Sequence, residues 1–308
     1  MQAVRMIELR GVTMAIPLAQ LESWSHQGAV ATSRDTYQSI RSVLCDSRVP
    51  YADKNFEVYL QGSYGNDTNI FSESDVDVVI QLNSTFNSNK HELPQDQLAL
   101  HERDYGPATY TASDFRKDVI SVLENHYGIH NVTDGKKSVK LAGVSSRRNA
   151  DIVVCTQYRK YTHYWGSNAC FFVEGMMINN QGESTINYPR LHAAALTQKH
   201  QQTSNRFKPL IRVLKNIKTK MVENGYIDEK TAASYYIEGW LYNAPNELFS
   251  YDLRDRFEKV CNWLLRHDSA EFVMPHGQFS LIGTQNNQWA SNNLELFSER
   301  LIDFDRRY

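Results

Sequence analysis

Two neighbouring stretches carry residue types that could handle a phosphate. The first, Gln61-Gly62-Ser63-Tyr64-Gly65-Asn66-Asp67-Thr68-Asn69, is a small-residue turn rich in backbone N–H groups, a shape that suits phosphate oxygens. The second, Ser74-Asp75-Val76-Asp77-Val78-Val79-Ile80, has the alternation of a strand, which sends Asp75 and Asp77 to one face. Carboxylates held side by side repel, and a sheet gains nothing from them. A divalent cation such as Mg²⁺ removes the conflict, since hard oxygen ligands suit it and a bound phosphate completes its shell. D-x-D alone is a weak signal, because acids at a strand end often form a solvated rim. Its position downstream of Gly62-Ser63 favours a nucleotide site.

A third carboxylate opens the apolar run Asp151-Ile152-Val153-Val154-Cys155. If that strand neighbours Asp75–Ile80, three acids converge, as a two-cation phosphoryl-transfer site with metals about 3.5–4 Å apart requires. The alternative is a strand-start acid that meets Arg147 or Arg148. Further on, Lys208, Arg212 and Lys215 share a stripe on a helix. They form either a solvated face or a set from which one lysine reaches a triphosphate. Ser234 enters another helix at its N-terminus, where a hydroxyl suits phosphate, and the adjacent Tyr235 ring could stack on a base.

The elements that position these residues are partly legible. Ser33 reads as the cap of a helix that runs to about Cys45, and Phe56, Val58 and Leu60 alternate as the strand that delivers Gly62. Asn83 to Ala112 is polar, with Pro94 and Pro107, and reads as an excursion holding at most one helical turn over Leu98–Arg103. Thr111 or Ser113 caps the next helix, with a stripe of Phe115, Val119, Leu123 and Tyr127 closed by Gly128. Strands follow at Ser138–Ala142 and Ala150–Thr156. From Leu191 the pattern is mainly helical, with Phe207, Leu210, Ile211, Leu214, Ile217 and Met221 forming one face.

The 308 residues suffice for one large domain or two lobes with a real core, and 41% hydrophobic and 22% charged residues are ordinary for a globular protein. A net charge of −2 argues against a broad nucleic-acid surface and hence a stable nucleic-acid partner. No apolar run is long enough for a membrane span, and Met1–Pro17 does not read as a signal peptide, so the expectation is a cytoplasmic protein with no membrane partner. Cys45, Cys155, Cys170 and Cys261 are scattered, which suggests buried thiols in a reducing compartment rather than a structural zinc.

With these residues in place, the chain resembles the CD-NTase family, the bacterial relatives of cGAS and oligoadenylate synthase, and most of all its clade E (CdnE-like) members. The likeness rests on Pro17–Ser25, Gln61–Ile70, Asp75-Val76-Asp77, Ala150–Val153, Val173-Glu174-Gly175, Ile186–Pro189, Val213–Asn216 and Ser234-Tyr235. Gly-Ser with D-x-D is common to the polymerase-β-like superfamily, whereas Asn66–Asn69 and Ser234-Tyr235 are narrower. The resemblance implies an α+β fold: a polymerase-β-like nucleotidyltransferase palm with a mixed sheet in residues 1–189, and a helical nucleotide-binding lobe in 190–308. It implies synthesis of a 3′,5′-linked cyclic dinucleotide, a second messenger, from ATP and UTP in bacterial anti-phage (CBASS) signalling. The product would act on a downstream effector. Asp75, Asp77 and Asp151 would be catalytic and hold two Mg²⁺ ions, or Mn²⁺. Gln61, Gly62, Ser63, Lys215 and Ser234 would bind the donor phosphates, and Tyr235 would stack on a base. Asn187, with Asn168 as a competing choice, would read the acceptor base and favour a pyrimidine-containing product such as cyclic UMP-AMP or cyclic di-UMP. There is no Cys/His zinc thumb and no strongly basic face, so activation by DNA is not expected. The rivals are a terminal or tRNA-type nucleotidyltransferase and a nucleotide-binding pseudoenzyme.

Overall fold

The computed structural model describes residues 15–28, 30–71, 75–180 and 182–308. Contacts divide them into a sheet unit, residues 30–67 and 75–193, and a helical unit, residues 15–28, 68–71 and 194–308.

The sheet unit has a mixed seven-stranded sheet in the order β1-β2-β5-β4-β3, with β6 on β5 and β7 on β6. The strands are β1 (Phe56–Leu60), β2 (Val76–Asn89), β3 (Val132–Asp134), β4 (Val139–Leu141), β5 (Ala150–Tyr164), β6 (Cys170–Asn180) and β7 (Glu183–Asn187). Only β2 and β5 run parallel; the other pairs are antiparallel. Strand alternation gives the sheet two unlike faces. Val76, Val78, Ile80, Val139, Leu141, Ala150, Ile152 and Val154 turn to one side. There they pack on Ile40 and Leu44 of α2 (Ala31–Leu44) and on Phe115, Val119 and Leu123 of α5 (Ala112–Tyr127). A capping box between Thr111 and Asp114 starts α5, and Gly128, at φ 88°, follows its end. The other face has a small apolar cluster of Val79, Val153, Cys155, Met176 and Ile178 with Tyr59 beside it.

Three local expectations are corrected. Ser33 is not a cap but lies buried inside α2, which begins at Ala31. The supposed excursion after Leu82 is ordered. β2 continues to Asn89 because Phe86–Asn89 pair with Gln157–Lys160 of β5 across a register shift, and Gln95–Asp104 form α4. Its polar sequence conceals this because the ordering partners, Tyr161 and Tyr164, come from β5 and enclose Leu93 and His101. Of the four thiols, Cys155 and Cys261 are buried, whereas Cys45 is exposed and Cys170 half-buried.

In the helical unit, α1 (Leu18–Ser25) and α7 (Phe207–Glu223) share a core with α8 (Ser234–Tyr242), α9 (Leu253–Arg266) and α10 (Ser291–Arg307). α6 (Pro189–Gln202) straddles the boundary between the units. The division differs from one cut at 189/190, because residues 15–28 join the helical unit. Leu21 and Trp24 are buried with Leu210, Leu214 and Ile217, and an eight-residue helix does not announce its partner. No helix among the described residues is long and apolar enough to cross a membrane.

Candidate active site

The strand register decides where the acids stand. Asp77 is the direct neighbour of Asp151 on the parallel pair β2–β5, flanked by Val76↔Ala150 and Val78↔Ile152. Those flanking residues enter the helix-covered core, so both aspartates project from the opposite face, each half-buried. Asp75 lies exposed, one residue before β2 begins. Asp151 has no hydrogen-bond or ion-pair partner among the described residues, so Arg147 and Arg148 do not neutralise it. The Arg147 guanidinium instead donates to the Ala142 carbonyl at 2.7 Å and covers the Tyr127 ring.

The turn after β1 is locked to this pair. The Gln61 N–H donates to the Asp77 carbonyl at 3.0 Å. Gly62 has φ 64°, and a Cβ there would collide with the Asp77 carboxylate, so only glycine lets the turn lie this close. Ser63 follows in the short helix α3 (Gly62–Gly65). Among the described residues the buried Gln61 Oε1 has no hydrogen-bond partner, an unmet acceptor in this turn.

Asn187 belongs to the same face further along. It pairs with Met176, which pairs with Gln157, and Gln157 lies on β5 in alternation with Asp151, Val153 and Cys155. Its Oδ1 accepts the Tyr188 N–H at 2.8 Å. Gly175 makes room for this segment, because a Cβ there would meet the Asn187 carbonyl and the Tyr188 ring at 2.9 Å. Asn168 is corrected: it is exposed at the tip of the β5–β6 hairpin, beyond the far end of β5. A strand of that length spans roughly 45 Å, which removes it from the acids.

Sequence reasoning missed a polar wall at the edge of this face. Arg190 lies over the Tyr59 ring at 4.4 Å and pairs with Glu57 at 2.5 Å and Glu174 at 3.7 Å. Burial pushes the Glu57 carboxyl up, but hydrogen bonds from Arg190 and Asn83 outweigh it and hold the group below its ordinary value. The Tyr59 hydroxyl donates to Gln81 Oε1 at 3.0 Å. Burial pushes the Tyr59 hydroxyl and Cys155 thiol well up, so both stay protonated. The charges alternate between β1, α6 and β6, which lie far apart in the chain, so no spacing could reveal them.

The remaining expected residues belong to the helical unit. Lys208 and Lys215 are buried, 5% and 1% exposed, so the stripe is not a solvated face. Lys215 Nζ donates to the Thr68 carbonyl at 2.9 Å, and Thr68 Oγ1 donates to Glu238 Oε1 at 2.5 Å. Gln27 Nε2 donates to Asn69 Oδ1 at 2.7 Å. Thr68 and Asn69, the second half of the distinctive turn, thus anchor the chain within the helical unit. Ser234 is the first residue of α8, half-buried. The half-buried Tyr235 ring packs on the helical core with its hydroxyl 3.1 Å from His276 Nε2.

Among the described residues no three His, Cys, Asp or Glu side chains gather closely enough to hold a metal alone. A pair of carboxylates completed by substrate phosphate is nonetheless the set that suits Mg²⁺. Asp77, with Gly62 held against it, beside an uncompensated Asp151 fits such a cation. A mixed sheet carrying this pair beside a Gly-Ser turn, followed by a helical unit, is the framework of a nucleotidyltransferase. The profile of the cGAS/DncV-like nucleotidyltransferase C-terminal helical domain matches residues 194–305. The chain is 40% identical to a cyclic UMP-AMP synthase of Rhodothermus marinus, over 94% of this chain and 98% of that one. It is 35% identical to the cyclic nucleotide synthase CdnE01 of Staphylococcus haemolyticus, over 92% and 96%. The solved structure of the Rhodothermus marinus CdnE c-UMP-AMP synthase with Apcpp and Upnpp superimposes with a TM-score of 0.85 at 38% identity, covering 95% of this chain and 97% of that one. The chain belongs to the cGAS/DncV-like nucleotidyltransferase (CD-NTase) family, beside its CdnE-type cyclic nucleotide synthases.

Proposed function

We infer that the protein is a cyclic dinucleotide synthase whose product contains a pyrimidine, made from nucleoside triphosphates with ATP and UTP as the substrates. The observation that supports this most is the pairing of Asp77 with Asp151 against Gly62, in a chain matched almost throughout by a cyclic UMP-AMP synthase. Asp77 and Asp151, joined by Asp75, are the residues that would hold two Mg²⁺ ions, or Mn²⁺. When bound, the ions would supply charge neutralisation at the triphosphate. Gln61, Gly62 and Ser63 cradle the donor phosphates; in the helical unit Lys215 and Ser234 are the phosphate candidates and Tyr235 the stacking candidate. Asp151 accepts the proton of the acceptor 3′-hydroxyl. That oxygen bonds to the donor α-phosphorus as the bond to pyrophosphate breaks, so positioning supplies much of the rate. A second attack of the same kind, by the remaining 3′-hydroxyl of the linear intermediate, closes the ring. Asn187 reads the acceptor base through its amide.

The setting we propose is the cytoplasm, in anti-phage signalling, with the diffusible product acting on an effector and no stable nucleic-acid partner. Incubation with all four triphosphates and Mg²⁺, followed by mass spectrometry, tests the reading. A phosphatase-resistant cyclic product containing uridine is expected. Turnover only when an RNA end is added would replace it with a terminal nucleotidyltransferase.

A further inference from the structure

The row of residues through Asp77 and Asp151 does not stop at the two acids. Lys140 of β4 is the direct antiparallel partner of Asp151, and Thr133 of β3 is the partner of Lys140. Val139 and Leu141 enter the helix-covered core opposite Ile152 and Ala150, so Lys140 projects from the same face as the acids. Across the sheet the order is therefore Gln61 with its glycine turn, Asp77, Asp151, Lys140, Thr133. Lys140 is exposed, and among the described residues its ammonium has no ion pair or hydrogen bond, despite the carboxylate directly across from it. The other nearby acid, Asp134, turns to the helix side, where Arg116 holds it at 2.5 Å. A cation on a long stem, beside a carboxylate it does not neutralise, is poised to meet an anion from outside.

The side of the row identifies that anion. With the donor phosphates on the Gly62-Ser63 turn, in-line attack brings the acceptor in from the opposite side of Asp151, which is the side of Lys140. We propose that Lys140 binds the 5′-phosphate of the acceptor nucleotide. The inference rests on the nucleotidyltransferase reading above and deepens it. An acceptor carries phosphorus on its 5′ carbon in both chemical steps. In the first it is the α-phosphate of a triphosphate, and in the second it is the new internucleotide diester. One lysine can therefore serve both attacks without moving.

The test uses a 3′-deoxynucleoside triphosphate, which can act only as donor. It is offered either a nucleoside or its 5′-monophosphate as acceptor, and pyrophosphate release is followed. Wild type is expected to show an acceptor KM lower for the monophosphate by roughly tenfold, the scale of one charge-assisted contact. Lys140→Gln erases that preference, Lys140→Arg keeps it, and the donor KM is unchanged in both. Lys117→Gln, exposed on α5 behind the sheet, behaves as wild type. Added salt narrows the wild-type gap, which tests the idea even if a substitution harms folding. A wild type indifferent to the acceptor phosphate, a gap that salt does not touch, or a Lys140→Gln that retains it would overturn the proposal while leaving the enzyme reading intact. Absence of pyrophosphate release from any combination would overturn that reading, and this inference with it.

Discussion

Asp151 and Ile152 are consecutive residues with opposite fates. Ile152 is fully buried among Val78, Val139 and the helices α2 and α5, whereas Asp151 meets Asp77 on the other side of the sheet. The same contrast runs over both faces. The helix-covered face is apolar along β2, β4 and β5 and holds the sheet together. The opposite face carries two carboxylates, a lysine and a glutamate–arginine wall around a small apolar cluster. The first face supplies the stability that lets the second hold like charges side by side. One sheet separates the two tasks with a period of two.

That separation can be broken from either side. The largest effect is expected from Asp77→Asn and Asp151→Asn, each lowering cyclic product formation by about a thousandfold with little change in melting temperature. Removing the Asp151 charge, which no described cation neutralises, should stabilise the protein. Product formation at the wild-type rate in either variant, measured by chromatography of the nucleotides, would separate that acid from the chemistry. Next comes Ile152→Ala, one residue from Asp151, which should cost about 3 kcal/mol of stability through the cavity it leaves. Urea unfolding measures that loss, and activity per folded molecule should stay within about twofold of wild type, because a core truncation leaves the acids in register. A large loss of activity at full stability would show that the faces are not independent.

The smallest effect belongs to neither face and gauges what burying a charge costs in the helical unit. Lys199 is held among the Phe207, Tyr242 and Phe249 rings with its ammonium on the Ala244 carbonyl at 2.7 Å. Burial lowers its pKa from 10.5 to about 8, although Glu247 acts in the opposite direction. Between those values the unfolded chain binds more protons than the native one, so stability rises with pH across that window. The difference in stability between wild type and Lys199→Met should therefore shift in favour of wild type from about pH 7.5 to about pH 9.5. A difference constant over that range would remove the buried-charge account.

Much of this was legible in one dimension. Gly62-Ser63, Asp75-Val76-Asp77 and Asp151 carry a local signal, because turn chemistry and strand alternation act over a few residues. The amphipathic helices were legible for the same reason, and the resemblance to the CdnE-type enzymes rested on those short stretches. The extension of β2 to Asn89, the strands β6 and β7, and the membership of α1 were not, because each depends on a partner many residues away. Lys215 shows the limit well. Its helical spacing left open a solvated stripe, and only packing made it a buried donor to Thr68.

By itself the sequence determined which residues could do chemistry and which face of each strand or helix they share, since those follow from bond geometry and a fixed period. The tertiary structure alone decided the neighbours: that Asp77 stands beside Asp151 rather than a residue away, that Lys140 completes their row, and that Asn168 is out of reach. Register between strands is set by the summed burial of whole faces, and no single segment contains that sum.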